Sequence, residues 1–276
     1  MSALFHQRPV TKQALRILAA ALCLPAAIPA LAQTTSQPPN PTYSAQSIVN
    51  GATQTVEALA PNVIATLYGT NLAFSTDAVA PTDIVGGMLP TSLAGVGVWV
   101  NSIPCSLLLV SPTQINFLIP YELTPGAVSL LVARQGVAGP GVSIQLNAAS
   151  PGLFVWNVNN AIAEHLSGQL ISAAAPAVGG EIIVIYAAGL GRTAPDATAG
   201  QLAAIAAPIV NKSGFQVLLN GTPLPPGSVL YAGLTPGFAG LYQINLQLPQ
   251  TLPVNPQIQL SLDSQTSPGG ILLITQ

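Results

Sequence analysis

Charge is scarce in this sequence, with six Lys and Arg and eight Asp and Glu among 276 residues. Three of the cations, Arg8, Lys12 and Arg16, sit at the N-terminus, which leaves Arg134, Arg192 and Lys212 for the rest of the chain. Nucleic-acid binding needs a basic stripe to neutralise phosphates, and three scattered cations cannot form one. Histidine is almost as rare, since only His165 lies beyond the N-terminal region. A Ser-His-Asp triad would have to be built on that one ring, and no Gly-x-Ser-x-Gly elbow accompanies it. Cysteine and histidine are too few for zinc and no Asp-x-Asp-x-Asp string occurs. The one metal the spacing leaves open is a calcium held by Asp77, Asp83 and carbonyls. Gly189-Leu-Gly191 lacks the third glycine of a dinucleotide fingerprint. Beyond the N-terminal region no run reaches 18 apolar residues, so no membrane-spanning helix is expected there.

What is present begins with an export pattern. Arg8, Lys12 and Arg16 precede the apolar run Ile17 to Leu24, and Ala30-Leu-Ala32 offers a small-x-small cleavage site. Pro25 and Pro29 cut the run short of a membrane span. Residues 1–32 are therefore expected to be a signal peptide. Residues 33–46, polar and proline-rich, are expected to be a disordered tether. The expected mature chain has three cations against eight acids, a net charge of −5 with His165 neutral.

Cys105 is then the only cysteine, which rules out an intrachain disulfide. It alternates with Ile103, Leu107 and Leu109, the pattern of a buried strand residue.

From Ser47 onward short apolar runs alternate with Gly, Pro and Asn. Ile115, Phe117 and Ile119 share one face while Gln114 and Asn116 share the other. Val142, Ile144 and Leu146 repeat the pattern, as do Ile258, Leu260 and Leu262. Period-two alternation of this kind marks half-buried strands. Glu181 to Tyr186 is apolar on both faces, which suits a central strand or an interdomain contact. Gly200 to Ala207 has room for a helical turn or two between prolines.

The chain also resembles itself. Ile64 to Leu72 matches Ile182 to Leu190, Val98 to Asn101 matches Val217 to Asn220, and Gln114 to Pro120 matches Gln243 to Pro249. The matches are collinear, which argues for a duplicated module dividing near Ser150-Pro151. Asn220-Gly221 and, less strongly, Asn101-Ser102 are hairpin turn signals. Each module has two half-apolar sheets to bury, so the expected fold is all-β, two tandem β-sandwich modules over residues 47–150 and 151–276.

The motif string Leu67-Tyr-Gly-Thr-Asn-Leu72, Leu89-Pro-Thr-Ser-Leu-Ala-Gly95 and Val110-Ser-Pro-Thr-Gln-Ile-Asn-Phe117 continues in Ala149-Ser-Pro-Gly-Leu-Phe154 and Ile185-Tyr-Ala-Ala-Gly-Leu-Gly191. It ends in Val229 to Asn245. With these motifs the chain resembles the C-terminal modules of secreted acidobacterial proteins, typified by Solibacter. The resemblance covers essentially everything from Ser47 onward. It implies an immunoglobulin-like, transcription-factor-type sandwich and brings no catalytic residue with it.

Aromatic residues remain as recognition candidates. Trp99 lies on the strand face opposite Val98 and Val100, beside Gly95 and Gly97, where it can stack a sugar ring, although cover by a loop or by the neighbouring module is the favoured expectation. Trp156 is expected at the module junction, and Tyr231, Phe238 and Tyr242 in the second core. Asn116 and Asn245 are expected to bond a crossing loop. Glu181, opening an apolar strand, is the one carboxylate with a prospect of a shifted pKa. Together these features predict a non-catalytic secreted or cell-surface structural or interaction protein, engaged in adhesion or envelope assembly. The alternatives are a carbohydrate-binding protein and, behind it, a secreted glycoside hydrolase. No cofactor is expected. The partner is expected to be protein or glycan at the cell envelope, with no nucleic acid, and Trp99 is the ligand-contact candidate.

Overall fold

Strands follow the alternation of the sequence closely in the computed structural model, which describes residues 39–276. The expected signal peptide, and residues 33–38 of the expected tether, lie outside the described residues. Pro39–Gln46 do not behave as a tether. Tyr43 is buried and its hydroxyl accepts the Val132 N–H at 2.7 Å, while Thr42 bridges to Thr70. An aromatic ring with a satisfied hydroxyl gains from burial what an extended leader would forgo.

In the first half the strands are β1 (Ile48–Asn50), β2 (Ile64–Tyr68), β3 (Asp77–Ala78), β4 (Val96–Val100), β5 (Ile103–Pro104), β6 (Leu107–Val110), β7 (Gln114–Leu118), β8 (Gly126–Arg134), β9 (Val137–Ala138) and β10 (Val142–Leu146). They form one sheet in the order β1-β2-β7-β6-β3 and another in the order β10-β8-β4-β5, with β9 also on β8. One apolar cluster draws on both sheets. Ala65, Leu67, Ile115 and Phe117 come from the first, and Val96, Val98, Val100, Leu130 and Val132 from the second. Cys105 is fully buried in that cluster, as its alternation predicts.

The second half contains β11 (Gly152–Leu153), β12 (Val155–Trp156), β13 (Asn160–Ala161), β14 (Ala163–His165), β15 (Ile182–Ala188), β16 (Ala207–Pro208), β17 (Phe215–Leu219), β18 (Thr222–Pro223), β19 (Val229–Leu234), β20 (Tyr242–Gln247), β21 (Ile258–Leu262) and β22 (Gln265–Thr266). Here the orders are β11-β15-β20-β19-β16, with β14 also on β15, and β18-β17-β21-β22. β12 and β13 make a separate ribbon. A second cluster joins Ile183, Ile185, Tyr242, Ile244 and Leu246 to Val217, Leu219, Ile258 and Leu260. The protein is thus all-β, built of several antiparallel sheets, and the central position expected for Glu181 to Tyr186 is the position of β15.

Residue pairings recur between the halves. Tyr68 faces Gln114 and Thr66 faces Asn116 across β2 and β7; Tyr186 faces Gln243 and Val184 faces Asn245 across β15 and β20. A register shift between Leu107 and Leu109 on β6 has its counterpart between Val229 and Tyr231 on β19. Cys105 N–H donates to Val98 O and Leu224 N–H to Val217 O, both at 2.8 Å. The turn pairs Asn101-Ser102 and Asn220-Gly221 all have positive φ, which Asn and Gly tolerate better than other residues.

The halves are joined by more than the chain crossing. The buried Asn50 side chain donates to Ser150 O and Oγ. Met88 bridges to Gln201, and Leu89 N–H donates to Gly200 O. Gly200 to Ala207 is therefore paired, extended backbone in part, and not the helical turn its composition allows. Leu89, Leu118 and Ala239 are buried in a small cluster spanning both halves, with Leu202 packed against it. The fully buried Tyr242 hydroxyl donates to Gly191 O and accepts from Asn62 Nδ2 at 3.4 Å.

Candidate functional site

β4 alternates, so Val96, Val98 and Val100 enter the first core and Trp99 must face outward. Across the sheet Trp99 sits between Leu131 on β8 and Pro104 on β5. Its six-membered ring lies over Gly97, where an added Cβ would stand 2.5 Å from Cη2, 3.0 Å from Cζ3 and 3.1 Å from Cζ2. Glycine at 97 is what lets the indole lie along the sheet, and Ala133 opposite Gly97 keeps the neighbouring strand low. The result is a half-buried aromatic platform in an open groove of about 710 Å³, lined by Trp99, Asn101, Ser102, Ser129, Leu131, Ala133 and Gly141.

The polar groups cluster at the turn end. Asn101 Oδ1 accepts the Ser129 N–H at 2.9 Å, which fixes the side chain and leaves Nδ2 without a partner among the described residues. Ser102 and Ser129 also line the groove. An apolar aromatic face beside fixed uncharged hydrogen-bonding groups is the pattern that recognises a neutral, hydroxyl-rich ring. None of the lining side chains is an acid or a base, so the groove has nothing with which to move a proton near neutral pH. The counterpart of Trp99 in the second half is Leu218, which faces Gln259 and Pro223; the platform belongs to the first half alone.

The other candidates are placed elsewhere. His165 and Glu181 meet at 3.0 Å through Nδ1 and Oε2, while Nε2 faces the Ala175 carbonyl at 3.2 Å. The hydrogen bond to Glu181 raises the His165 pKa above its ordinary value; burial opposes it and the Ala175 carbonyl adds to it. Glu181 also accepts the Val178 N–H, so it is tied into a strand entrance and is not a free strand-end charge. Glu164 accepts the Tyr186 hydroxyl. Glu57 accepts from Thr53 and Ser150, Asp83 caps the Ala80 N–H, Asp196 pairs with Arg192 and Asp263 accepts from Asn211. These carboxylates serve local structure, and none lines the Trp99 groove. Among the described residues no group of three or more His, Cys, Asp and Glu side chains comes together.

Asn116 and Asn245 have structural bonds, but to their own sheet and not to a crossing loop. Asn116 Oδ1 accepts from Gln114 at 2.9 Å and Thr66 at 3.1 Å, and Asn245 Oδ1 accepts from Gln243 at 3.1 Å. Tyr242 fills the second core as expected, whereas Phe238 is 53% exposed and contributes little to it. Trp156 stands on the β12–β13 ribbon with its indole N–H buried and unpaired.

Sequence reasoning missed two features. Arg134 is a buried cation without a carboxylate. Its guanidinium donates to Asn71 O at 2.7 Å and Pro39 O at 2.8 Å, and stacks on Phe74 with 4.0 Å to the ring centroid. Its place at the inward end of the β8 alternation was the available signal. The second is a groove of about 540 Å³ in the second half, rimmed by Lys212, the Pro223 to Pro226 turn and Leu230.

No protein-family model and no curated protein matches the chain. Similar solved structures include a surface glycan-binding protein from Prevotella bryantii, with 11% identity and a TM-score of 0.27 over 84% of this chain and 41% of that one. Another is a surface glycan-binding protein of the Bacteroides ovatus mixed-linkage glucan locus, in complex with a heptasaccharide, with 12% identity and a TM-score of 0.30 over 76% and 42%. Domains 5–6 of the S-layer protein SbsC align with 9% identity and a TM-score of 0.25 over 86% and 100%. The chain spans about two-fifths of the length of the first two. Superpositions this loose carry no argument about what the protein does. No helix among the described residues is long and apolar enough to cross a membrane.

Proposed function

We propose that this is a non-catalytic, secreted or cell-surface binding protein that takes carbohydrate on the outer sheet face around Trp99. The observation that carries the reading is the indole laid over Gly97 beside Asn101, Ser102 and Ser129, in a groove without a titratable group. The general adhesion or assembly role becomes, on this reading, attachment to a glycan. The architecture is read as two tandem immunoglobulin-like, transcription-factor-type sandwiches over residues 47–150 and 151–276. Support comes from the matching pairings, the matching register shifts and the two clusters that each draw on two sheets. The acidobacterial family resemblance and the export pattern fit the same role outside the cytoplasm.

The test is a glycan array followed by titration calorimetry on the best hit, with wild type and Trp99→Ala compared. Loss of the stacked ring should weaken binding by about tenfold or more, roughly 1.4 kcal/mol. Absence of any glycan signal, or an affinity unchanged in Trp99→Ala, defeats the proposal.

A further inference from the structure

The groove of the second half opens where two connections pass between the same two sheets. Residues 209–214 lead from β16 to β17, and residues 224–228 lead back from β18 to β19. Proline stiffens the second connection at 223, 225 and 226 by fixing its backbone angle. Ser228 N–H donates to Pro225 O at 2.8 Å and Val229 N–H to Pro226 O, which closes a short 3-10 turn. The space of about 540 Å³ beside these connections has an apolar floor. Phe215 and Val217 come from one sheet and Ala232 from the other, and all three belong to the second core cluster. Leu224 and Val229 pack against the same cluster from the walls. The groove is thus an extension of the core that opens to the surface.

Most polar groups around it are already engaged. Ile209 N–H donates to Ala232 O at 2.9 Å and Leu224 N–H to Val217 O at 2.8 Å. The Tyr231 hydroxyl donates to Leu234 O at 2.8 Å and the Ser213 hydroxyl to Asn211 Oδ1 at 3.4 Å. An occupant is therefore held in the interior by apolar contact and not by pairing with the backbone. Lys212 is the exception. It is exposed, it is the one charged residue lining the groove, and among the described residues it makes no ion pair. Asp263, which accepts from Asn211 at 2.6 Å, is not part of the lining. Arg192 and Arg134 are occupied elsewhere, by Asp196 and by carbonyls.

We propose that this groove binds a small single-tailed amphiphile of the fatty-acid kind, its aliphatic tail between the sheets and its carboxylate at Lys212. The size fits, since pockets for small molecules commonly enclose about 300–1,000 Å³. The tail follows from the floor, where Val217, Ala232, Leu224 and Val229 offer aliphatic contact and no unpaired donor. The head follows from charge: a lone cation beside an apolar opening favours an anion over a neutral or positive group. The expected mature chain carries a net charge of −5, which repels anions at long range, so a preference for one has to come from Lys212 itself. This site lies in the other half from the Trp99 groove and stands independently of it.

The probe is decanoate, titrated below its micelle concentration into the expected mature chain and followed by amide chemical shifts. Saturable shifts are expected at Phe215 to Val217, at Leu224 and at Val229 to Ala232. Decanol should bind more weakly than decanoate, decylamine more weakly still, and acetate should shift nothing. Lys212→Gln, an exchange on an exposed side chain, should weaken decanoate about three- to fivefold and leave decanol unchanged. Leu224→Ala should weaken decanoate and decanol alike, with the wild-type spectrum retained away from the groove as the control for folding. Absence of saturable shifts, or shifts centred elsewhere, would overturn the proposal. So would decylamine or decanol binding as tightly as decanoate, or a decanoate affinity unchanged in Lys212→Gln.

Discussion

Asn101 and Asn220 do the same work in two different hairpins. Each side-chain Oδ1 accepts a backbone N–H, from Ser129 on β8 at 2.9 Å and from Gln257 just before β21 at 2.8 Å, while each backbone N–H donates to the carbonyl of that same residue at 2.8 Å. Both residues hold positive φ, 47° and 50°. Replacing either by alanine removes the side-chain bond and leaves a left-handed backbone that alanine adopts less readily than asparagine. A loss of about 1–2 kcal/mol is expected for each, and a smaller loss for glycine, which accepts the backbone angle. Urea denaturation of Asn101→Ala, Asn220→Ala and the two glycine variants checks it; a cost at one turn and none at the other would break the equivalence.

Gly97→Ala should disturb the platform without removing the indole. The new Cβ would stand 2.5 Å from Trp99 Cη2, so the ring must lift off the sheet. In a Trp156→Phe background the emission of Trp99 should shift to the red, and glycan affinity should fall by about tenfold. Unchanged emission would mean that the ring does not lie where glycine 97 permits it.

Cys105 should be inert to a thiol reagent in the native protein and react after denaturation. It has no exposed surface, and burial pushes its thiol well above the usual range, so almost no thiolate is present to react. Stoichiometric labelling under native conditions within the dead time of the assay would contradict its place among the core residues.

The His165–Glu181 pair predicts a pH dependence of stability. The His165 pKa is raised in the folded state, chiefly by its hydrogen bond to Glu181. The contribution is therefore complete below the unfolded value of about 6.5 and is lost as pH rises through the folded value. The urea midpoint of the wild type should decline as pH rises above about 6.5, and His165→Gln should flatten that decline. A wild-type midpoint that rises across this range would give the pair the wrong sign.

Tyr242→Phe should weaken the junction of the halves. Its hydroxyl, with a pKa pushed up to about 12 by burial, links Gly191 O of the second half with Asn62 of the first. Phenylalanine fills the same space but leaves a buried carbonyl and a buried amide without their partner, at a cost of about 1–3 kcal/mol. Calorimetry should show a lower melting temperature. A variant as stable as the wild type would show that the hydroxyl contributes nothing.

Much of the strand pattern was legible because each strand has one wet face. Ile115 and Phe117 against Gln114 and Asn116, or Val98 and Val100 against Trp99, announce both strand and facing. The pairings Tyr68 with Gln114 and Tyr186 with Gln243 fall on the segments whose sequences are similar. The groove was hidden by compensation. Residues 189–206, between β15 and β16, are longer than residues 69–76, between β2 and β3, and that gain nearly cancels the loss between β16 and β17. The spacing between the first two matched segments therefore looks almost constant, although residues 209–214 before β17 are far fewer than residues 79–95 before β4. Gly200 to Ala207 misled for a related reason: alanine-rich composition favours a helix, but the segment pairs in part with the other half at Met88 and Gln201. The Arg134 bonds were out of reach because their acceptors, Pro39 O and Asn71 O, are backbone groups far away in sequence.

The stitching of Met88 to Gln201 and of Tyr242 to Asn62 fixes a distance as well as a fold. A ligand on the proposed Trp99 face would then sit at a set distance from whatever the second half presents. Any second contact made there would gain the effective concentration of a tethered site only on targets of matching spacing.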